Sequence, residues 1–301
     1  MKKLLPVLLC AAMLLCLLPL EARAAAAAWD GTVDISWYDP AQTEYTIDTP
    51  AKLAGLAALV NGMADPAAKA IVGDRSYLVS KKVDNVMLVG AGGGNVFDTV
   101  YTGGVDFAYK TIYLTADLDM GGRKAADGSW TGPNWTPIGG KFPMKPQEAS
   151  GDCLTLDTRF NGVLDGQGHT IYNLYCDRCA AKGFPYSMAV GVVGFLGGNA
   201  DYANGGNGEK TEAEFKNGWQ PAVRNLVLGS GSIYGRRMVG GIVGRVGETS
   251  NGVVIENCGN RTDVRNTDSK GVGGIVGSAW GDGIIRNCYN TGTISTTYTC
   301  P

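Results

Sequence analysis

Val239-Gly240-Gly241-Ile242-Val243-Gly244 returns 33 residues later as Val272-Gly273-Gly274-Ile275-Val276-Gly277. A second element, Ile255-Glu256-Asn257-Cys258, returns 30 residues on as Ile285-Arg286-Asn287-Cys288. Upstream, Val192-Val193-Gly194-Phe195-Leu196-Gly197 fits the first element, while Val223-Arg224-Asn225-Leu226 and Ile171-Tyr172-Asn173-Leu174 fit the second. Seven or eight residues after an Asn of the second element stands a β-branched residue, Ile233, Val264 or Ile294. A fixed period of this kind is the mark of stacked supersecondary units, and the fold must be read from it first. Each unit offers three short strands separated by Gly or Asn. Strands this short cannot bury a core alone, whereas parallel stacking of successive units gives every backbone group a partner in the next. The expectation is an all-β parallel solenoid with equivalent residues about 4.8 Å apart along its axis. Asn173, Asn225, Asn257 and Asn287 are then expected to form one hydrogen-bonded ladder at a corner. Leu174, Leu226, Cys258 and Cys288 are expected to fill one interior column beside it.

Composition agrees. Glycine reaches 45 of 301 residues while 45% of the chain is hydrophobic, which fits recurrent tight turns around a core and excludes both collagen and disorder. The 26 basic and 28 acidic residues nearly balance, so no electrostatic footprint for nucleic acid or anionic lipid exists. Lys2 and Lys3, the apolar run 4–20 and Ala22-Arg23-Ala24 read as a Sec-type signal peptide cleaved after Ala24. The run is short for a retained anchor and is interrupted by Pro6 and Pro19. Leu9 and Leu15, preceding Cys10 and Cys16, argue against a lipoprotein. The expected location is therefore extracellular or at the cell surface, with no membrane insertion after cleavage.

Three further motifs, Asp117-Leu118-Asp119-Met120, Trp135-Thr136-Pro137-Ile138-Gly139 and Phe160-Asn161-Gly162-Val163-Leu164-Asp165-Gly166-Gln167-Gly168-His169-Thr170-Ile171, precede the Val-Gly-Gly-Ile-Val-Gly units. This succession resembles the GLUG-motif proteins, bacterial secreted or surface proteins that include adhesins. The opening Trp29-Asp30-Gly31-Thr32-Val33, with Trp37-Tyr38 and Tyr45-Thr46-Ile47, is similar to the beginning of clostridial members. The resemblance covers roughly residues 29–60 and 111–301 and implies a right-handed, single-stranded parallel β-helix. Val193 departs from the pattern at the first Gly of its unit, and residues 78–105 and 198–220 read as insertions.

Ahead of the repeats, Thr49 is suited to cap a helix with Pro50 in its first turn. Leu53, Leu56, Leu59 and Val60 share a face, and Asn61-Gly62 ends the run. Such a helix is expected to cover the open amino-terminal end of the solenoid. Ile112, Leu114, Ala116 and Leu118 alternate with polar residues and predict one strand, the first of the stack. The expected organisation is a signal peptide over 1–24, a cap with the first coils over 29–158 interrupted by a loop region 78–105, and GLUG-like repeats over 159–301. The chain stops at Cys300-Pro301, one strand past the last recognisable turn, and reads as a truncated product.

The chemistry available is sparse. His169 is the single histidine, so a zincin is excluded and any Ser-His-Asp or Cys-His mechanism must use that residue, which sits in a turn. Cys176-Asp177-Arg178-Cys179 has redox-motif spacing without a second Cys pair. A local or loop-pinning disulfide, with Cys153 as an alternative partner, is the blander reading. Cys258 and Cys288 are expected to fill the core unpaired, although stacking brings them within disulfide range. Residues 86–95 imitate a dinucleotide loop, but Asn95 replaces the third Gly and no helix follows, so a hairpin is expected and no cofactor. The carboxylates Asp117, Asp119, Asp157 and Asp165 suggest no stacked row of the kind a polysaccharide lyase or glycoside hydrolase would need. Tyr202, Phe215 and Trp219, on the 198–220 insertion, are the candidate ligand contacts, since loops on rigid scaffolds carry recognition. Their blander alternative is a solvated excursion with Trp219 tucked back on the scaffold. The expected role is a non-catalytic stalk or adhesion module that binds glycans or host or cell-surface proteins. An enzyme on the same scaffold and a passive spacer are the alternatives.

Overall fold

A computed structural model describes residues 27–62, 82–89, 95–101, 104–143, 155–179, 188–198, 213–268 and 271–298. The expected signal peptide over 1–24, Tyr202, Cys153 and Cys300 lie outside them. Among the described residues the fold is all-β with one helix, α1 (Pro50–Asn61). Five sheets stack strands from successive passes of the chain, and none closes into a barrel. The first sheet runs Glu44–Ile47, Thr111–Leu114, Val163–Asp165, Ala222–Arg224, Val253–Glu256, Gly283–Arg286, every neighbour parallel. The second begins at Leu118–Asp119 and ends at Tyr289–Asn290; the third runs from Leu174–Arg178 to Ile294–Thr296. The fourth holds Met188–Val190, Arg237–Gly240 and Val272–Gly273 in parallel, with Gly140–Pro143 and Thr155–Thr158 antiparallel at its other edge. The fifth stacks Val193–Leu196, Val243–Val246 and Val276–Ala279. In the pass from Ala222 to Val246 the chain visits the sheets in this order and re-enters the first at Val253. Parallel neighbours need a long crossover, and here the rest of the pass is that crossover.

Register follows burial. Ile112, Leu164, Val223 and Ile255 pair in one column of the first sheet, all fully buried. Cys176, Ile233 and Val264 do the same in the third. A one-residue slip would turn each column to solvent, so the apolar alternation fixes the pairing.

The Gly-Gly motif works by close approach. A Cβ on Gly241 would lie 2.2 Å from the carbonyl oxygen of Gly274 in the next pass, and one on Gly240 would lie 2.0 Å from that of Val243. The positive φ of this bend belongs instead to Met238, at 54°, and in the preceding pass to Ala189, at 62°.

Thr49 Oγ1 accepts from Lys52 N at 3.3 Å and caps α1, with Gly62 at its end (φ 53°). Leu53, Leu56, Leu59 and Val60 are buried, but so are Ala54, Ala57 and Ala58, so the helix is enclosed on more than one side. Its last residue, Asn61, is wholly buried. It donates to Pro137 O at 2.9 Å and accepts from Gly139 N (3.0 Å) and Thr158 Oγ1 (3.1 Å), which ties α1 to the sheets.

Two expectations are corrected. The single strand over 112–118 is two, Thr111–Leu114 and Leu118–Asp119, in different sheets, and Glu44–Ile47 precedes them. The chain turns at 115–117, where Asp117 Oδ1 accepts from Thr170 N at 3.0 Å in the neighbouring pass. Second, Asn173 and Leu174 do not share columns with Asn225 and Leu226. Val223 pairs with Leu164, which puts Asn225 opposite Gly166, while Leu174 pairs with Gly231 in the third sheet. Residues 86–95 fall largely in an antiparallel hairpin, Lys82–Val89 with Asn95–Tyr101.

Candidate functional site

Two polar corners run beside the buried columns. Asn225, Asn257 and Asn287 each hold a left-handed backbone, φ 52–54°, a conformation that Asn tolerates better than most residues. Their amides chain together: Asn287 Nδ2 donates to Asn257 Oδ1 (3.2 Å), Asn257 Nδ2 to Asn225 Oδ1 (3.0 Å), and Asn225 Nδ2 to Asp165 Oδ1 (3.0 Å). Asp165, at 3% exposure, also accepts from Gln167 N (3.0 Å) and from Arg224 Nε (2.8 Å). Burial pushes its carboxyl up, but the hydrogen bonds from Asn225, Gln167 and Arg224, with the Arg224 charge, outweigh burial and hold it below the usual range. The second corner joins Asn173 Nδ2 to Asp119 Oδ1 (3.0 Å) and Ser230 Oγ to Asn173 Oδ1 (3.0 Å).

These bonds engage three of the four carboxylates singled out in the sequence. Asp165 and Asp119 accept from corner amides, and Asp117 Oδ1 faces His169 Nδ1 at 3.1 Å and Thr170 N at 3.0 Å. The side chain of Asp157 lies outside the described residues. Among the described residues no three metal-ligating side chains converge.

Leu226 and Cys258 are fully buried in one column and Cys288 is half-buried below them; Leu174 is buried in another. Burial pushes the thiols of Cys176 and Cys258 up to about 12, far from nucleophilic at neutral pH. Cys176 is a free thiol, so a local bridge to Cys179 is corrected. Cys176 lies inside the strand Leu174–Arg178, and Cys179 stands one residue past its end.

Three aromatic rings come together on the surface. Tyr109, 43% exposed and held at φ 63°, lies 5.5 Å from the Trp219 ring and 6.1 Å from Phe215. Lys216 N donates to Tyr109 Oη at 2.9 Å. Trp219 Nε1 donates to Asn161 O at 2.9 Å, so that side chain is tucked back and half-buried. Asn251 Nδ2 donates to the carbonyls of Phe215 and Trp219, both at 3.1 Å, and pins the segment to the adjacent pass. Phe215 and Trp219 are thus together, with Tyr109 as a third ring that sequence reasoning missed. The one available signal was an exposed aromatic in Asp106-Phe107-Ala108-Tyr109-Lys110. A separate cavity of about 210 Å³ lies between α1, residues 29–33 and residues 133–136, with Trp29 and Trp135 in its wall.

Residues 268–295 match the GLUG motif. The chain is 31% identical over 171 residues to halomucin of Haloquadratum walsbyi, an alignment covering 57% of this chain and 1% of that protein. No solved structure matches. The matched stretch takes in the outermost strands of the first, second, fourth and fifth sheets, so one motif corresponds to about one pass. This protein carries the GLUG motif, at residues 268–295, in the last described pass of its stack.

Proposed function

We propose that the chain is the rod of an exported surface protein, wound as a right-handed parallel β-helix with α1 covering its amino-terminal end, and that it binds rather than catalyses. The observation carrying this reading is that passes stack in register around one continuous core while Asp117, Asp119 and Asp165 are spent on corner hydrogen bonds. The GLUG motif and the halomucin similarity support a surface role. On that rod the Tyr109, Phe215 and Trp219 rings are the surface for recognition, because ring faces stack on apolar sugar faces while the adjoining polar groups meet hydroxyls. The ligand class proposed is a glycan of the surrounding surface or matrix.

The test is a screen of the purified chain on plant, mucin and microbial glycans. Retention without release of sugars is expected, and the double change Tyr109→Ala with Trp219→Ala lowers retention at least about tenfold, the equivalent of one lost stacking contact. Released or unsaturated sugars would move the assignment to a polysaccharide-active enzyme. Neither retention nor release leaves a spacer.

A further inference from the structure

The cavity of about 210 Å³ between α1 and the segments 29–33 and 133–136 shares no residue with the Tyr109, Phe215 and Trp219 cluster. Small side chains on α1 make room for it. Ala54, Ala57 and Ala58 share one side of the helix by their spacing and line the cavity. Trp29 and Trp135 add the aromatic part of the wall, with ring centroids 6.1 Å apart and planes at 71°. A dry cavity of about 150 Å³ holds benzene, so on the same scale this one holds about eight non-hydrogen atoms.

The polar side chains of the wall are already committed to the protein. Trp29 Nε1 donates to Thr32 O at 2.6 Å, and Trp135 Nε1 donates to the carbonyls of Gly191 and Val192 at 3.2 and 3.3 Å. The Asn134 amide exchanges two hydrogen bonds with the Asp177 backbone, at 2.9 and 3.0 Å, and Thr136 Oγ1 accepts from Arg178. A sugar or a primary amine would bury hydroxyl or N–H groups against side chains with nothing left to pair them, which is costly. Asp30 is the exception, the exposed and charged member of the lining. Thr32 N donates to its Oδ1 at 2.9 Å, and hydrogen bonds from the side chain and backbone of Thr32 hold its carboxyl below the usual range. Among the described residues no Lys or Arg balances that charge.

We propose that this cavity binds a quaternary ammonium group, its methyls held among the α1 alanines and the two indoles and its charge balanced by Asp30 at the rim. Such a head group is positive without carrying a single N–H, so an apolar wall leaves no donor unpaired. Indole rings attract a cation through their quadrupole, more strongly once water is excluded. A neutral apolar molecule would gain the same burial but nothing from Asp30, and that difference sets the specificity. Choline is within the size the cavity admits. The inference concerns other residues than the glycan reading and does not rest on it.

Isothermal titration calorimetry of the full chain compares choline with its uncharged isostere, in which carbon replaces nitrogen, and with ethanolamine, which keeps the charge but carries N–H groups. Choline is expected to bind in the millimolar range or tighter, and the other two at least about tenfold more weakly. Asp30→Asn retains the Oδ1 acceptor for Thr32 N and so preserves the local turn. It is expected to lower choline affinity about three- to tenfold, less at high salt, and to leave the isostere unaffected. Saturation-transfer NMR on the unaltered protein gives a reading that needs no variant, with transfer from indole protons to the choline N-methyl groups. No choline binding up to about 10 mM, whether because the cavity is closed or because the chain itself fills it, would overturn the proposal. So would equal affinity for the uncharged isostere, or choline affinity unchanged in Asp30→Asn.

Discussion

At Asn257 the backbone and the side chain do separate jobs. The backbone sits at φ 54°, and the exposed amide donates upward to Asn225 and accepts from Asn287. Replacing it with Gly keeps the conformation and removes two exposed hydrogen bonds, for an expected loss of about 0.5–1 kcal/mol; Ala adds backbone strain and brings the loss to about 1–2 kcal/mol. Urea unfolding of the two variants measures the difference, and equal losses would mean that backbone strain contributes nothing. Asp165 is the more consequential corner residue because its carboxylate anchors the ladder. Asp165→Asn is expected to cost about 2–3 kcal/mol at neutral pH, since it weakens charge-assisted bonds at a buried position. The sign with pH follows from the lowered folded-state value. The contribution of the ionised group is complete above the unfolded carboxylate value of about 3.9 and is lost as pH falls through the lower folded one. The stability gap between the native protein and Asp165→Asn should therefore be constant from neutral pH down to about 5 and close below about 4. A gap unchanged in acid would place the effect elsewhere.

Among the elements, α1 was legible because its signals are local: a capping Thr, a Pro in the first turn and a terminal Gly act within a few residues. Strand boundaries were not, for an equally local reason. Alternation from Ile112 to Leu118 continues through Ala116 as though the strand were unbroken, and the turn at 115–117 is made by Asp117 bonding to another pass. The misplaced Asn173 has a related cause. An apolar residue, a polar one, Asn and Leu or Cys mark a left-handed corner, and the chain uses that device at two different corners. Gly166-Gln167-Gly168-His169 lengthens the earlier corner, so the first Asn on that pass is the one a strand later. The Val-Gly-Gly bend was placed by its repeat, yet its physical reason is the neighbouring backbone. Gly241→Ala forces a methyl group toward the Gly274 carbonyl, with the Asn260 side chain 2.6 Å away on the other side. The expected cost is about 2–4 kcal/mol, read as a lower thermal midpoint with unchanged β-sheet dichroism. Wild-type stability in that variant would show that the passes separate more easily than their packing indicates.

For the whole molecule, stacking makes stability a chain of nearest-neighbour terms, each pass held by the two beside it. The repeat disclosed this architecture because equivalent residues recur in sequence where they meet in space. The aromatic surface stayed hidden because Tyr109 and Trp219 are 110 positions apart and belong to no repeat. The nearest-neighbour view predicts how damage spreads. Ile255 is fully buried between Val223 and Ile285, so Ile255→Ala opens a cavity that both flanking passes line, with an expected loss of about 2–5 kcal/mol. Ile285→Ala removes a half-exposed side chain and should cost less than half as much. Hydrogen exchange distinguishes local from propagated loosening. In Ile255→Ala, protection should fall in Ala222–Arg224 and Gly283–Arg286 together while Glu44–Ile47, four strands along the first sheet from Val253–Glu256, keeps its native rate. Uniform loss in all six strands of that sheet would mean that the stack unfolds as one cooperative unit and that nearest-neighbour coupling exceeds the stability of a single pass.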